Sequence, residues 1–205
     1  MASHLGRIAC DFVSSVVLFQ SAPDGVRPAP AALRAQLVAE LERFASEAAA
    51  AGVDPAQIEA ARSALGGRAD ELVLLTPWSG HDAWAQDSLQ QQLFRTQRAG
   101  NEFYERLASL RADESDAREV FALCLAFGFQ GQWAGRESER QEILRQQVEL
   151  LRVAGRAADV ATRDALSPAA YEVEIDIRRA GGGGIGRIVA GDGPNPNRQY
   201  AVELA

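Results

Sequence analysis

The sequence predicts an all-α fold of about seven or eight helices packed as antiparallel bundles, with an irregular or β-hairpin-like C-terminal tail. Three observations carry that reading. Apolar residues recur every three or four positions through most of residues 1–160. Glycine, proline and capping residues punctuate this pattern and leave short connections, which favour antiparallel neighbours. A clear period of two occurs late, at residues 171–177.

Taken in order, residues 5–20 read as an apolar helix carrying Leu5, Ile8, Phe12, Val16 and Phe19. Residues 21–30 hold Pro23, Gly25, Pro28 and Pro30 and form a connecting loop. Leu33, Leu37, Leu41, Phe44 and Ala48 then make one apolar stripe, ended by Gly52. The next start is marked by Asp54 as cap, Pro55 at the first helical position and Gln57 completing a capping box. Ile58, Ala61, Leu65, Ala69 and Leu72 continue on one face. Gly66-Gly67 is expected to interrupt and weaken this helix by about 1 kcal/mol per glycine. Thr76-Pro77 stops it, because the residue before proline avoids helical angles.

Three shorter helices are expected at about residues 82–94, 101–110 and 116–127, with Phe103, Phe121 and Leu125 in the core. Gly128 and Gly131 bracket a turn, and a longer helix spans about 137–153 with Leu144, Val148 and Leu151 facing inward. The domain reading is a helical body over residues 1–170 and a flexible or strand-like tail over 171–205. Tyr171 to Ile177 alternates apolar and acidic residues, and a glycine run comes after it.

Composition narrows the function. The chain has 205 residues, 47% hydrophobic and 24% charged, enough for a sizeable core. Its net charge is −7, and all 21 basic residues are arginine. An acidic domain repels phosphate, so nucleic acid and anionic lipid are poor partners and a protein face is a better one. Cys10 and Cys124 sit among apolar residues and read as buried free thiols, as in a reducing cytoplasm. Neither a signal peptide nor a membrane span is expected: the most apolar run, Val120–Phe129, is half the roughly 20 residues a span needs.

The motifs argue against catalysis. Gly181 to Gly186 spells G-x-G-x-x-G, but a dinucleotide loop needs a helix opening at the last glycine and an acid about 20 residues on. Pro194 and Pro196 break the segment after Gly186, so no cofactor is expected. His4 and His81 lack the spacing of a metal-ligand pair, and His81 reads as solvated or capping. Nothing resembles a nucleophile elbow. No catalytic residue, metal or small-molecule substrate is therefore expected.

Asp70-Glu71 is the most suggestive pair. Adjacent helical residues point about 100° apart, so these acids do not form a tight catalytic pair. Acids usually sit on a solvated face, yet these are flanked by Leu72–Leu75 and precede Pro77-Trp78. They are expected at a cleft, available to an arginine of this chain or of a partner. Reversing both charges is expected to weaken partner binding and to spare the fold. Trp84 reads as core. Trp78 and Trp133 fall in loops, where aromatics often serve interfaces. Asp70, Glu71, Pro77, Trp78 and Trp133 are thus the candidate partner-binding residues. The loops carrying the last three are expected to lie near one another.

The segment Asp70-Glu71-Leu72-Val73-Leu74-Leu75-Thr76-Pro77-Trp78-Ser79-Gly80, with Trp84-Ala85 and Ser88-Leu89, resembles the most characteristic stretch of the DotU/TssL family, related to type IVB DotU/IcmH. Thr96 to Tyr104, Leu123 to Trp133, Ala51 to Pro55 and Leu166-Ser167-Pro168 match further family motifs in order. The sequence departs from the family pattern at Gly66-Gly67, at Arg98, at Ala99 and in a strand-like tail where a membrane helix usually begins.

The resemblance implies two helical bundles arranged like a hook, at the cytoplasmic face of the bacterial inner membrane. It further implies a structural subunit of the type VI secretion membrane complex that docks an IcmF/TssM-like protein and a TssK-like baseplate protein and self-associates weakly. Two alternatives stand beside it: a DotU-like adaptor that never enters a membrane, and a small helical enzyme or ligand-binding protein.

Overall fold

The computed structural model describes residues 4–154 and, beyond them, the backbone of five short strands. The chain divides into two compact units, Met1–Val160 and Ala161–Ala205. In the first unit the described residues form eight α-helices: α1 (His4–Ser21), α2 (Pro30–Ala50), α3 (Pro55–Leu75), α4 (His81–Gln86), α5 (Leu89–Phe94), α6 (Ala99–Ser109), α7 (Ser115–Ala126) and α8 (Glu137–Val153). Short 3-10 turns lie at Asp24–Val26 and Gly131–Trp133.

Helix α3 is the hub. It packs against α1, α2, α4, α5, α6 and α7, while α1 also meets α2 and α7, and α8 lies on α7. A helix enclosed in this way has no wet face over its middle turns. Ala64, Leu65, Gly66, Gly67, Arg68, Ala69 and Asp70 are accordingly all buried in succession. Helix α2 is amphipathic instead, and its buried residues are the stripe Leu33, Leu37, Leu41, Phe44 and Ala48. Closing each such leucine from water contributes roughly 1.5–3 kcal/mol. Phe103, Phe121 and Leu125 lie in the core as expected.

Three local expectations are corrected. Gly66-Gly67 does not interrupt α3, which runs unbroken from Pro55 to Leu75. A Cβ at Gly66 would lie 2.7 Å from Phe94 Cε2, so that glycine admits α5 at close range. Gln57 does not complete a capping box: Asp54 Oδ1 accepts from the Ala56 and Gln57 N–H groups, while Gln57 Oε1 accepts from Ala117 N–H on α7. The helix expected over 82–94 is two helices, with Asp87 non-helical and Ser88 extended between them and Ser88 N–H donating to Gln91 Oε1 at the start of α5.

In the second unit, β1 (Tyr171–Ile175) pairs antiparallel with β4 (Gly186–Ala190), which pairs antiparallel with β5 (Tyr200–Leu204). β2 (Arg178–Arg179) pairs with β3 (Gly182–Gly183). Val173, Ile188 and Val202 lie in register across the larger sheet. Gly186 opens a strand, not the helix that a dinucleotide loop requires.

Candidate functional site

The acid pair stands on the last turns of α3, and the structure gives its two members different tasks. Asp70 is buried, at 1% exposure. Its Oδ1 accepts from Trp84 Nε1 at 3.0 Å and from Leu89 N–H at 2.9 Å, and its Oδ2 accepts from Gln90 N–H at 2.7 Å. Leu89 and Gln90 begin α5, so a carboxylate from another helix satisfies two N–H groups that have no partner within α5. Burial pushes the Asp70 carboxyl above its ordinary value, against the opposing hydrogen bonds from Gln90, Leu89, Trp84 and Ser88. Asp70 is therefore a positioning residue for the α4–α5 corner and presents no carboxylate to solvent. The expectation that reversing both acidic charges would spare the fold is corrected by these bonds.

Glu71 points to the other side. Its Oε1 accepts from Gly131 N–H at 2.6 Å and its Oε2 from Gln130 N–H at 2.9 Å. Arg68 Nη1 stands 3.9 Å away, one helical turn earlier. Burial raises the Glu71 carboxyl too, opposed by the bonds from Gly131 and Gln130 and by the charges of Arg68 and Arg140.

The turn that Glu71 grips is held by side chains along its whole length. Arg68 Nη2 donates to the Phe127 carbonyl at 2.6 Å. Arg140 Nη1, from α8, donates to Phe129 O at 3.1 Å and to Gly128 O at 3.4 Å. Arg140 also pairs with Glu137. Tyr104 Oη, from α6, donates to Gln130 O at 2.9 Å. The turn passes through left-handed backbone at Gly128 (φ +89°) and Gly131 (φ +51°). At Gly131 a side chain is excluded twice over, since a Cβ would fall 2.5 Å from Gly100 O.

Beside this turn lies an open cleft of about 290 Å³, lined by Gly67, Glu71 and Leu74–Leu75 of α3, by Gln90 and Gln97, by Ala99–Gly100 at the start of α6, and by Phe129. Leu75 is 62% exposed at its rim. Glu71 contributes the cleft's carboxylate, with its side chain 16% exposed.

The Thr76–Gly80 connection is anchored elsewhere. Arg27 donates to the Phe19, Gln20 and Pro77 carbonyls, closing the C-terminal end of α1 onto this loop. Asp24 Oδ1 accepts from Ser79 N–H at 3.0 Å. Pro77 is exposed, and Trp78 is half-buried with its ring edge-on to Phe19 at 4.9 Å. Trp133 is also half-buried; it stands edge-on to Tyr104 at 6.3 Å, with the Arg136 guanidinium 5.3 Å over its ring.

The family model described as "Type VI secretion system protein DotU" matches residues 4–182 of this sequence. This chain belongs to the DotU family. Its fold is similar to the "Cytoplasmic domain of TssL from Acinetobacter baumannii", with 25% identity over 74% of this chain and 99% of that one and a TM-score of 0.65. It is also similar to the "Crystal structure of T6SS SciP/TssL from Escherichia Coli Enteroaggregative 042", at 24% identity over 70% of this chain and 86% of that one, with a TM-score of 0.56. No curated protein is a significant match. The DotU chain is thus a structural component of a type VI secretion system. Among the described residues, no helix is long and apolar enough to cross a membrane.

Within this DotU chain the candidate residues separate. Glu71 joins α3 to the Gln130–Gly131 turn and lines the cleft. Asp70 turns away toward Trp84, and Trp78 and Trp133 pack on different helices, α1 and α6. Sequence reasoning missed Arg27, Arg68 and Arg140. Arg68, three residues before Glu71, carried a helical-spacing signal. For Arg27 and Arg140 the partners are carbonyls, which no side-chain pattern reveals.

Proposed function

We propose that this DotU chain serves as a docking body, gripping partner proteins of the secretion complex in the cleft between the end of α3 and the start of α6. The observation that carries this reading is the pairing, in one cleft, of the Glu71 carboxylate with exposed Leu75 and the Gln97 amide. Exposed Leu75 supplies apolar area for a partner to bury, and a half-buried charge with polar neighbours supplies register. The partner classes are those of the family resemblance: a TssK-like baseplate protein and an IcmF/TssM-like protein at the cytoplasmic face of the inner membrane.

The test replaces Leu75 with Asp. Its exposure keeps the fold intact while a charge enters the rim. Co-purification of each partner with wild type and L75D is the measurement. A loss of about tenfold or more in capture of one partner, equivalent to about 1.4 kcal/mol of binding free energy, supports the cleft. Equal capture of both partners by the variant ends the proposal.

A further inference from the structure

We propose that Glu71 is a latch which ties the setting of Trp133 to the state of the cleft. Five successive residues, Phe127 to Gly131, have main-chain groups held by side chains from α3, α6 and α8. Arg68, Arg140 and Tyr104 donate to carbonyls, and Glu71 alone among these holders accepts from N–H groups. Losing it leaves the Gln130 and Gly131 N–H groups without their acceptor beside a cleft wall. Gly131 opens the 3-10 turn that ends at Trp133, so the grip on Gly131 sets where the indole meets Tyr104.

The same carboxylate lines the cleft, and Phe129 of the same turn forms another part of its wall. A cationic group entering the cleft to pair with Glu71 competes with two main-chain N–H donors. Cleft occupancy and turn geometry are then linked, and linkage works equally in both directions. The coupling rests on the docking reading above; the latch itself does not.

The experiment uses the whole chain labelled with 5-fluorotryptophan, whose three fluorine signals are assigned by Trp133→Phe and Trp78→Phe. Glu71→Gln keeps the side-chain shape and removes the charge; Glu71→Ala removes the acceptor. The expected result is a displaced Trp133 signal with the Trp84 signal unmoved. Amide exchange at Gln130 and Gly131 is expected to accelerate by about tenfold or more relative to neighbouring α7 amides. Where Glu71→Ala fails to fold, Glu71→Gln decides. A folded variant with an unmoved Trp133 signal and protected Gln130 and Gly131 overturns the latch. Normal partner capture by a variant whose latch is open would instead sink the docking role of Glu71 and leave the latch standing.

Discussion

Trp84 donates its indole N–H to Asp70 at 3.0 Å, and both side chains are closed to solvent. One bond thereby fixes a short helix that would not persist alone: α4 has six residues, well under the length at which isolated helices hold in water. The acid that looked like a docking handle is what places α4 and α5 on α3.

Asp70→Asn is expected to destabilise the domain by about 1–3 kcal/mol, because the amide can satisfy only one side of the site and turns an N–H toward the Gln90 N–H or the Trp84 indole. Asp70→Arg is expected to prevent folding, since a cation would be buried against three donors. Urea titrations followed by circular dichroism check both, and an Asp70→Arg protein of native stability would contradict the geometry.

The pH dependence of the same pair has a definite sign. Burial raises the Asp70 carboxyl above its ordinary value of 3.8, so the folded chain holds that proton more tightly than the unfolded chain. This contribution is complete below the ordinary value and fades as pH rises through the raised one. The stability difference between wild type and Asp70→Asn should therefore shrink from acid toward neutral pH. Denaturation curves at several pH values measure it; a difference that grows with pH would mean that the hydrogen bonds outweigh burial.

Much of this was legible in the sequence. The Asp54-Pro55 start and the Thr76-Pro77 stop are local signals whose partners lie within one turn, and the α2 stripe is legible because its period alone fixes which face packs inward. Glu71 was legible as a residue near a cleft, but not the main-chain donors it holds 59 and 60 residues away. Asp70 misled because burial of a carboxylate depends on donors from Trp84, Leu89 and Gln90, two of which are main-chain groups without identity in the sequence. The glycine pair misled for a related reason: propensity registers the cost of Gly66 in a helix, while its benefit lies in the approach of Phe94.

The two glycines should respond oppositely to alanine. At Gly67 a Cβ would meet Ala99 Cβ at 3.4 Å, an ordinary contact, so Gly67→Ala is expected to stabilise α3 by up to about 1 kcal/mol. At Gly66 the same methyl displaces the Phe94 ring, and the overpacking cost of about 1–3 kcal/mol outweighs the gain. Melting temperatures of the two variants separate these outcomes. A stabilised Gly66→Ala would show that Phe94 yields freely.

Cys124 is expected to resist thiol reagents in the native domain. It is fully buried, and burial pushes its thiol up to about 12, which suppresses the reactive thiolate. Mass spectrometry after brief alkylation should find Cys124 modified only once the chain is unfolded. Native labelling there would reveal local opening of α7.

Under the docking proposal, the central place of α3 limits how a relative of this chain could change its partner preference. Glu71 belongs to a helix wedged among six others and also holds the Gln130–Gly131 turn, so altering it disturbs the body as well as the cleft. Leu75 and Gln97 stand at the open edge with few internal duties. Divergence in partner choice would therefore be written at that edge, on a floor that stays fixed.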